Sequence, residues 1–327
     1  MITFVTGDAM DQKTKVKIAF LYYAAGLTQD EIAKKLDLTR QKVNAVIGSL
    51  RSDGIVTVSI CGLEQEYVDW ENTLEQTFGL KRVIIAPDYG DPSLAFLKVA
   101  GAAAQYLDET IGPEDVIGVS WGRTLAATIR EMRPVKKPGC KVIQLLGTQG
   151  MGTEPTKSDD IVRALANKLD CPTYMLYAPA VVSSPETKDL LLRERIIQNV
   201  FDLMKTCTVG IFGIGELSED APMYQMGFLT REDLDRLHKE GFRADIGMNP
   251  VRFDGSSDGC FLENRLLNAD MACIRCMPRT IAVASGAEKA EAVTAVLRSG
   301  CVDTIVIDSR LAEEMIKLIE DTRRNKP

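Results

Sequence analysis

The sequence is poor in histidine and contains no long apolar run. His238 is the only histidine among 327 residues, which argues against histidine-rich metal sites. No apolar stretch approaches the ~18 to 20 residues that cross a bilayer. The N-terminus has no charged segment followed by an apolar one, so no secretory signal is expected. We therefore expect a cytoplasmic protein with no membrane contact.

The eight cysteines are scattered and lack the spacing of a zinc module. Cys273 and Cys276 form the one close pair, and neither a second pair nor a second histidine accompanies them. Scattered thiols in a cytoplasmic protein are expected to stay reduced. The sequence thus predicts no disulfide framework, no metal and no cofactor.

The net charge of −7 is unevenly distributed along the chain. Residues 1–60 hold eight Lys/Arg against six Asp/Glu, a balance of +2, and the rest holds 31 against 40, a balance of −9. A chain of this length suggests at least two domains. We predict a DNA-binding domain over 1–60 and, after it, an acidic domain whose charge disfavours non-specific DNA binding.

Residues 27–60 have the pattern of a helix-turn-helix. Ile32, Ala33 and Leu36 fall at helical spacing behind the N-cap Thr28, which forms a capping box with Glu31. After a tight turn, a second helix begins at the N-cap Thr39, and its apolar stripe is Val43, Val46, Ile47 and Leu50. Two such helices joined by a short turn form a DNA-reading unit.

Two flanking elements are expected to complete this DNA-binding head. A first helix over 13–25 shows apolar residues at helical spacing, namely Val16, Ala19, Phe20 and Tyr23, so these are predicted to face the core. Residues 55–60 are rich in β-formers and predict a short strand or wing.

The polar face of the second helix suits DNA. Arginine pairs with guanine, Gln and Asn pair with adenine, and Lys and Ser hold phosphates. Because the N-terminal part of this helix enters the major groove, we assign base contacts to Arg40, Gln41 and Asn44. Phosphate contacts are assigned to Lys42, Ser49 and Arg51, and the other DNA-facing positions are Thr28, Gln29 and Thr39. The alternative is a helical hairpin with an ordinary solvated face.

Residues 61–80 form the next predicted segment, a helix with one apolar face. The apolar residues Tyr67, Trp70, Leu74 and Phe78 recur every three to four positions. Such a helix either links and dimerises the chain or packs on the following domain, and the pattern is typical of both.

Residues 81–327 alternate between strand-like Val/Ile runs and amphipathic helices. The expected strands are 83–85, 116–119, 141–146, 174–177, 208–212, 280–284 and 304–307. Expected helices between them include 93–107, 158–169 and 287–297. This alternation predicts an α/β fold with a doubly wound, mostly parallel sheet.

The loops after these strands are glycine-rich, and ligands bind at the carboxyl ends of such strands. Ser120, Trp121, Gly122, Arg123 and Thr124 open a helix, whose N-terminus favours an anion. The other residues assigned to this site are Gly147, Thr148, Gly213, Gly215, Asp245, Asp258, Gly286 and Lys289. Trp121 either covers the ligand or fills the core, and the two aspartates either contact ligand or make turns.

The loop from Gly118 to Gly122 also fits the nucleophile elbow of a hydrolase, with Ser120 as nucleophile. Its base would have to be His238, which lies in the pattern of an exposed helix end. The motif is weak without its geometric partners, so no catalytic residue is assigned.

The combination of segments resembles the SorC family of bacterial sugar-responsive regulators. The resemblance rests on the head from Gly26 to Val56, the loop 118–124, and the later stretches 241–247, 286–289 and 302–308. Asp37 stands where the family usually has a turn glycine.

The resemblance implies a sugar-binding effector domain similar in fold to sugar-phosphate isomerases. It further implies homo-oligomers, dimers or tetramers, and operator DNA binding controlled by a sugar, polyol or sugar phosphate. Ser120, Gly122, Arg123 and Thr124 would form the phosphate-side loop, and Lys289 would face the ligand. The alternative function is an isomerase-like enzyme with an appended DNA-binding head.

Overall fold

A computed structural model describes residues 11–56, 65–148 and 157–324 of the chain. The chain divides into two compact units, with the boundary between Gln65 and Glu66. The first unit is the helical head, and the second is the α/β domain. Each has its own apolar core.

Over residues 11–56 the head consists of three helices around a small core. These are α1 (Gln12–Ala19), which continues as a π-helical turn (Phe20–Ala24), α2 (Gln29–Leu36) and α3 (Arg40–Ser49). Ile32, Val43 and Leu50 are fully buried, as the predicted apolar stripes of α2 and α3 require. Most of the predicted wing over 55–60 falls on residues 57–60, which lie outside the described part of the chain.

The inward face of α1 differs from the predicted one. Ile18, Ala19 and Leu21 are buried, whereas Phe20 is 64% exposed and Tyr23 is 49% exposed. Val16 is also 49% exposed, so the prediction that Val16, Phe20 and Tyr23 face the core is wrong, and only Ala19 of that set is buried. This helix is apolar on two sides, and helical spacing alone does not decide which of them meets α2 and α3.

The described residues of the second unit form nine strands interleaved with helices. The strands are β1 (Arg82–Ala86), β2 (Val116–Val119), β3 (Lys141–Gln144), β4 (Thr173–Tyr174), β5 (Val209–Glu216), β6 (Phe242–Ile246), β7 (Asn249–Arg252), β8 (Arg279–Val283) and β9 (Thr304–Asp308). The helices are α4 (Gln65–Phe78), α5 (Pro92–Thr110), α6 (Arg123–Glu131), α7 (Ser158–Leu169), α8 (Pro185–Leu192), α9 (Arg195–Met204), α10 (Pro222–Gln225), α11 (Arg231–Lys239), α12 (Met271–Arg275), α13 (Ala290–Arg298) and α14 (Ser309–Arg324).

Seven parallel strands form one sheet in the order β1-β9-β8-β5-β2-β3-β4. The chain moves outward from β2 through β3 to β4, then returns to place β5 on the other side of β2. The strand order therefore reverses between β2 and β5. In open α/β sheets this switch point opens the crevice where ligands bind.

An antiparallel hairpin extends the sheet and was absent from the prediction. The end of β5 pairs with β6, Gly215 opposite Asp245, and β6 pairs with β7. Asp245 in β6 and Pro250 in β7 interrupt the apolar pattern of this segment, so its sequence did not predict two strands. Strand β4 is shorter than predicted, with only Thr173 and Tyr174 paired to β3.

Helix α4 packs against the rest of the second unit, with Leu74 fully buried in the core. Its carboxylates also cover the open edge of the sheet. Glu75 accepts a hydrogen bond from the Val83 N–H at 2.9 Å, and Glu71 accepts one from the Ile85 N–H at 2.9 Å. These bonds satisfy backbone donors that an edge strand would otherwise expose.

Candidate functional site

The two helices assigned to DNA are capped as predicted. The Thr28 hydroxyl accepts from the Glu31 N–H, and Glu31 accepts from the Thr28 N–H at 2.8 Å, which completes the capping box. Thr39 accepts from the Lys42 N–H at 3.3 Å. Between the helices Asp37 is left-handed, with φ of 54°. The turn thus fixes the start of α3, the part that reads bases in this motif.

The polar face of α3 is open to solvent. Arg40, Gln41, Lys42 and Asn44 are all exposed. The Gln29 amide donates to the Asn44 side-chain oxygen at 3.1 Å. The exposed polar side chains of α2 and α3 therefore form one continuous surface. Arg40 lies 3.3 Å from Asp30, an exposed ion pair that DNA can displace at little cost. Arg51 is also exposed.

Ser49 has a different environment from the other predicted DNA contacts. Its hydroxyl donates to the Val46 carbonyl and to Asp53, both at 3.1 Å. Asp53 also accepts from Lys15 at 2.6 Å. The structure therefore gives Ser49 a place in the bonding between α3 and α1, in contrast to the phosphate contact expected of it.

The loop after β2 lies at the switch point of the sheet. Ser120 is fully buried, and its hydroxyl has no hydrogen-bond partner within the described chain. Gly122 has φ of 121° and precedes α6 without offering a side-chain cap. The first N–H groups of α6 and the exposed Arg123 are therefore available to bind an anion. Thr124 is buried.

Lys289 and Asp245 lie across this crevice. The Lys289 ammonium donates to the Ile214 carbonyl at 3.5 Å, and Asp245 accepts from the Met248 N–H at 3.1 Å. Burial lowers the pKa of Lys289, and the nearby charge of Arg123 lowers it further. Burial raises the pKa of Asp245 to about 6, although the Lys289 charge opposes the rise. Both groups therefore lack the solvation that their charged forms require.

Glycines on β5 and after β8 make room for these groups. A Cβ on Gly215 would lie 2.1 Å from an Asp245 carboxylate oxygen, and one on Gly213 would lie 3.1 Å from the Trp121 carbonyl. Gly286, with φ of 110°, donates its N–H to Asp308 at 2.7 Å. Asp308 is buried and thereby fixes the loop that carries Lys289. The sequence did not assign Asp308 to the site, because its role depends on strand order.

Trp121 belongs to the core, with 7% of its surface exposed. Its ring packs edge-to-face against Phe228 at 6.2 Å between centroids. Of the two alternatives for this residue, the structure supports packing beneath the loop.

Gly147 and Thr148 are engaged in the fold itself. The Gly147 N–H donates to the Leu267 carbonyl at 2.8 Å, and the Thr148 N–H and hydroxyl both donate to Ala178. Asp258 is exposed in a turn, where its backbone carbonyl accepts from Arg252 at 3.0 Å. The described contacts do not bring these three residues to the crevice, since their polar groups serve connections between loops.

The described residues contain no group of carboxylate, Cys and His side chains able to hold a metal. Cys273 is half-buried on α12 and Cys276 is exposed; burial raises the pKa of Cys273 to about 11. His238 is exposed at the end of α11, and its Nε2 bonds to the Leu217 carbonyl at 2.6 Å. It therefore has a structural partner in the backbone of the chain. Within the described ranges, no helix is long and apolar enough to cross a membrane.

Comparison with known proteins agrees with this geometry. A family of sugar-binding domains matches residues 63–317, and a winged helix-turn-helix DNA-binding family matches residues 18–57. The erythritol catabolism regulatory protein EryD of Brucella abortus is 30% identical, over 94% of this chain and 97% of its own length. The chain belongs to the SorC family of transcriptional regulators.

Solved structures share the fold of this SorC-family regulator. The full-length sorbitol operon regulator SorC from Klebsiella pneumoniae superposes with a TM-score of 0.72 at 22% identity, covering 94% of this chain and 99% of that one. A DeoR family regulator from Listeria monocytogenes gives 0.71 at 28% identity, covering 76% and 98%. The predicted family, fold class and regulatory function are confirmed.

Proposed function

We propose that this SorC-family regulator binds a phosphorylated sugar or polyol in the crevice between β2 and β5, and that the ligand controls operator binding by the head. The observation that carries the proposal is the buried Ser120 hydroxyl, which has no partner within the described chain. Buried polar groups without partners are rare, and a ligand hydroxyl or phosphate oxygen would satisfy this one.

The two ends of the crevice differ in charge. The N-terminus of α6, with Arg123 and the half-buried Lys289, favours the negative end of a ligand. Asp245, buried and with its pKa raised to about 6, suits a hydroxyl, to which it can donate or from which it can accept. A molecule with a phosphate at one end and hydroxyls along its length matches this division.

The test is thermal unfolding of the full chain against a panel of sugars, polyols and their phosphates. The panel begins with erythritol and erythritol phosphate, because a 30%-identical relative is named for erythritol catabolism. A ligand at ~100 times its Kd should stabilise the chain by ~2.7 kcal/mol. We expect a phosphorylated compound to raise the melting temperature and Arg123→Ala to abolish the rise.

Arg130→Ala is the matched control, because Arg130 is also exposed on α6 but lies in its last turn. It should leave the ligand-induced rise unchanged. A rise produced equally by unphosphorylated polyols, and insensitive to Arg123→Ala, would contradict the phosphate assignment. No rise with any compound would contradict the ligand class.

We propose further that the chain does not turn its ligand over. Asp245 is the described crevice carboxyl with a raised pKa, and in an isomerase it would serve as a base. The nearby charge of Lys289 and the position of Asp245 opposite Gly215 suit ligand binding equally well. NMR of the stabilising compound after long incubation should show no conversion; product formation would establish the enzyme instead.

The regulator is proposed to act as a homo-oligomer on double-stranded operator DNA. Helix-turn-helix proteins read two half-sites about one turn, ~34 Å, apart or a multiple of it, so at least two heads are required. Light scattering of the purified chain should give at least twice the monomer mass of 35.9 kDa. A monomer that binds operator DNA with full affinity would contradict this.

A further inference from the structure

Two side-chain contacts join the start of α2 to the side chains on α3 that are assigned to bases. The Arg40 Nη1 lies 3.3 Å from an Asp30 carboxylate oxygen, and the Gln29 amide donates to the Asn44 side-chain oxygen at 3.1 Å. Gln29 and Asp30 are the first two residues of α2. Each of them therefore holds one residue assigned to a base, and Asp30 was not among the predicted DNA-facing positions.

Both contacts order exposed side chains before DNA arrives. Arg40 and Asn44 are exposed, so without a partner each would sample several rotamers. Fixing a flexible side chain on binding lowers affinity by roughly 2- to 13-fold. A side chain that is already held in the free head loses less freedom when it meets its base.

The contacts leave enough donors and acceptors for bases to be read. A guanidinium group carries five N–H donors in one plane, and guanine takes two of them with its O6 and N7. With Nη1 of Arg40 on Asp30, its Nε and Nη2 remain available to guanine. The Asn44 oxygen has a second lone pair, and its Nδ2 has no partner among the described residues, so it can still pair with adenine. Both contacts can therefore persist while bases are read.

A DNA sequence without the matching guanine offers Arg40 only phosphates. Asp30 competes with those phosphates for the same cation, whereas guanine can share the cation with Asp30. The ion pair therefore weakens binding to wrong sequences more than binding to the right one. A contact that penalises the wrong partner in this way raises specificity without raising affinity.

The distribution of charge in the head agrees with this role. Arg40, assigned to a base, has a carboxylate partner, whereas Lys42, assigned to a phosphate, has none among the described residues. An exposed carboxylate near DNA repels phosphates, so Asp30 lowers general affinity. An acid in the first turn also stabilises a helix, but Glu31 already supplies one in the capping box. The pair with Arg40 thus distinguishes Asp30 from an ordinary first-turn acid.

We propose that Asp30 and Gln29 are positioning residues that set the sequence preference of this regulator, by holding Arg40 and Asn44 in the conformations that read bases. Specificity then depends on α2 as well as on α3. The proposal rests on the assignment of base contacts to Arg40 and Asn44.

The test compares affinities of the full chain for duplexes that the wild type has selected from a random pool and for scrambled duplexes of the same composition. Asp30→Asn should lower the ratio of the two affinities by roughly 3- to 10-fold, the scale of an exposed ion pair and an ordered side chain. Most of the change should come from tighter binding to scrambled DNA, because a repelling charge is lost and Arg40 is freed.

Two variants separate this role from a general effect of charge. Asp30→Glu keeps a carboxylate beside Arg40 and should retain most of the wild-type ratio. Asp37→Asn removes the same charge from the exposed turn after α2, where no contact with Arg40 is described, and should leave the ratio unchanged. An equal fall in the ratio for Asp37→Asn would overturn the proposal. Thermal unfolding of each variant verifies that the head is folded.

A double-mutant cycle shows whether Asp30 acts through Arg40. The base position that Asp30→Asn relaxes should be the one that Arg40→Ala relaxes, and the double variant should prefer no fewer bases than Arg40→Ala alone. Additive losses, or an unchanged ratio in Asp30→Asn, would overturn the proposal while leaving the base contact of Arg40 in place. Wild-type preference in Arg40→Ala would remove the base contact itself, and the role of Asp30 with it.

The same cycle applies to the second contact. Gln29→Ala should relax the base position that Asn44→Ala relaxes, and the double variant should add nothing to the loss from Asn44→Ala. A loss at a different position, or at none, would overturn the role of Gln29. Failure of the wild-type chain to select any duplex would count against DNA binding itself.

Discussion

The head and the crevice place their polar groups in opposite ways. In the head, the side chains assigned to bases are exposed and the buried residues are apolar. In the crevice, Ser120 and Asp245 are buried before any ligand arrives. DNA is a large, charged and hydrated surface that exposed side chains can reach. A small ligand must be enclosed, so its partners lose water in advance and the effector unit bears that cost in stability.

Filling the crevice should have the largest effect. Gly215→Ala places a methyl group 2.1 Å from an Asp245 oxygen, so we expect loss of the ligand-induced rise in melting temperature and ~1 to 3 kcal/mol lower stability. Gly101→Ala is the control: Gly101 lies within α5 with no atom near its Cβ position, and the change should slightly stabilise. DNA binding without ligand should survive both. A normal ligand response in Gly215→Ala would place the site elsewhere.

Asp245 should make stability depend on pH. Its pKa is raised from 3.8 to about 6 in the folded chain, so the folded state holds the proton to higher pH than the unfolded state does. The stability from this group is therefore full in acid and falls as pH rises from ~4 through ~6. Asparagine does not titrate, so between ~pH 4 and ~pH 6 the free energy of unfolding of Asp245→Asn should rise relative to that of wild type by on the order of 2 to 3 kcal/mol. Denaturant unfolding of both proteins between ~pH 4 and ~pH 7 measures the difference; parallel curves would contradict the buried titration.

Substitutions in the head should alter DNA binding and leave the crevice unaffected. Arg40→Ala should cost ~1 to 3 kcal/mol on the selected duplex and relax one base position, whereas Lys42→Ala should weaken all sequences alike. The Arg40 pair with Asp30 is exposed, so its loss should barely change stability. Titration of each variant with selected and scrambled duplexes separates the two effects. Equal losses on both duplexes for Arg40→Ala would remove it from the base contacts.

Two buried hydroxyls without described partners offer a finer comparison. Ser120 lies in the crevice and Thr294 on α13. Removing either hydroxyl, by Ser120→Ala or Thr294→Val, should stabilise the free chain by ~1 kcal/mol, because an unsatisfied buried group is removed. Only Ser120→Ala should weaken the ligand response. The control is Thr128→Val, which breaks a buried 2.9 Å bond to the Thr124 carbonyl and should destabilise. Equal ligand responses in Ser120→Ala and wild type would exclude Ser120 from the site.

The smallest expected effect is in the turn of the head. Asp37 is left-handed at φ of 54°, a conformation that glycine adopts without strain. Asp37→Gly should therefore stabilise the head by ~0.5 kcal/mol, although the greater freedom of unfolded glycine offsets part of the gain. Thermal unfolding with a probe on the head reports the change; destabilisation would mean that the Asp37 side chain holds the turn.

The sequence predicted local features well and non-local ones less well. The caps at Thr28 and Thr39 follow from neighbouring residues, and so does the loop at Ser120. The hairpin β6–β7 was missed because Asp245 is buried in a pattern that reads as polar. The hydrogen bond from Gly286 to Asp308 connects the loop after β8 with the end of β9. The hydrogen bonds from Thr148 to the Ala178 carbonyl connect two loops. Neither contact can be predicted from one segment of the sequence. Which of the two apolar faces of α1 is buried depends on how α1 packs against α2 and α3, which its own sequence does not show.

The most direct test measures operator affinity of the full chain with and without the compound that stabilises it, for wild type and Arg123→Ala. A ligand bound in the crevice that controls the head should change wild-type affinity by roughly 5- to 150-fold and leave the variant unchanged, while both bind DNA equally in its absence. An identical response in wild type and Arg123→Ala would contradict an anion site at α6, and stabilisation without any change in DNA affinity would contradict control of the head by the crevice.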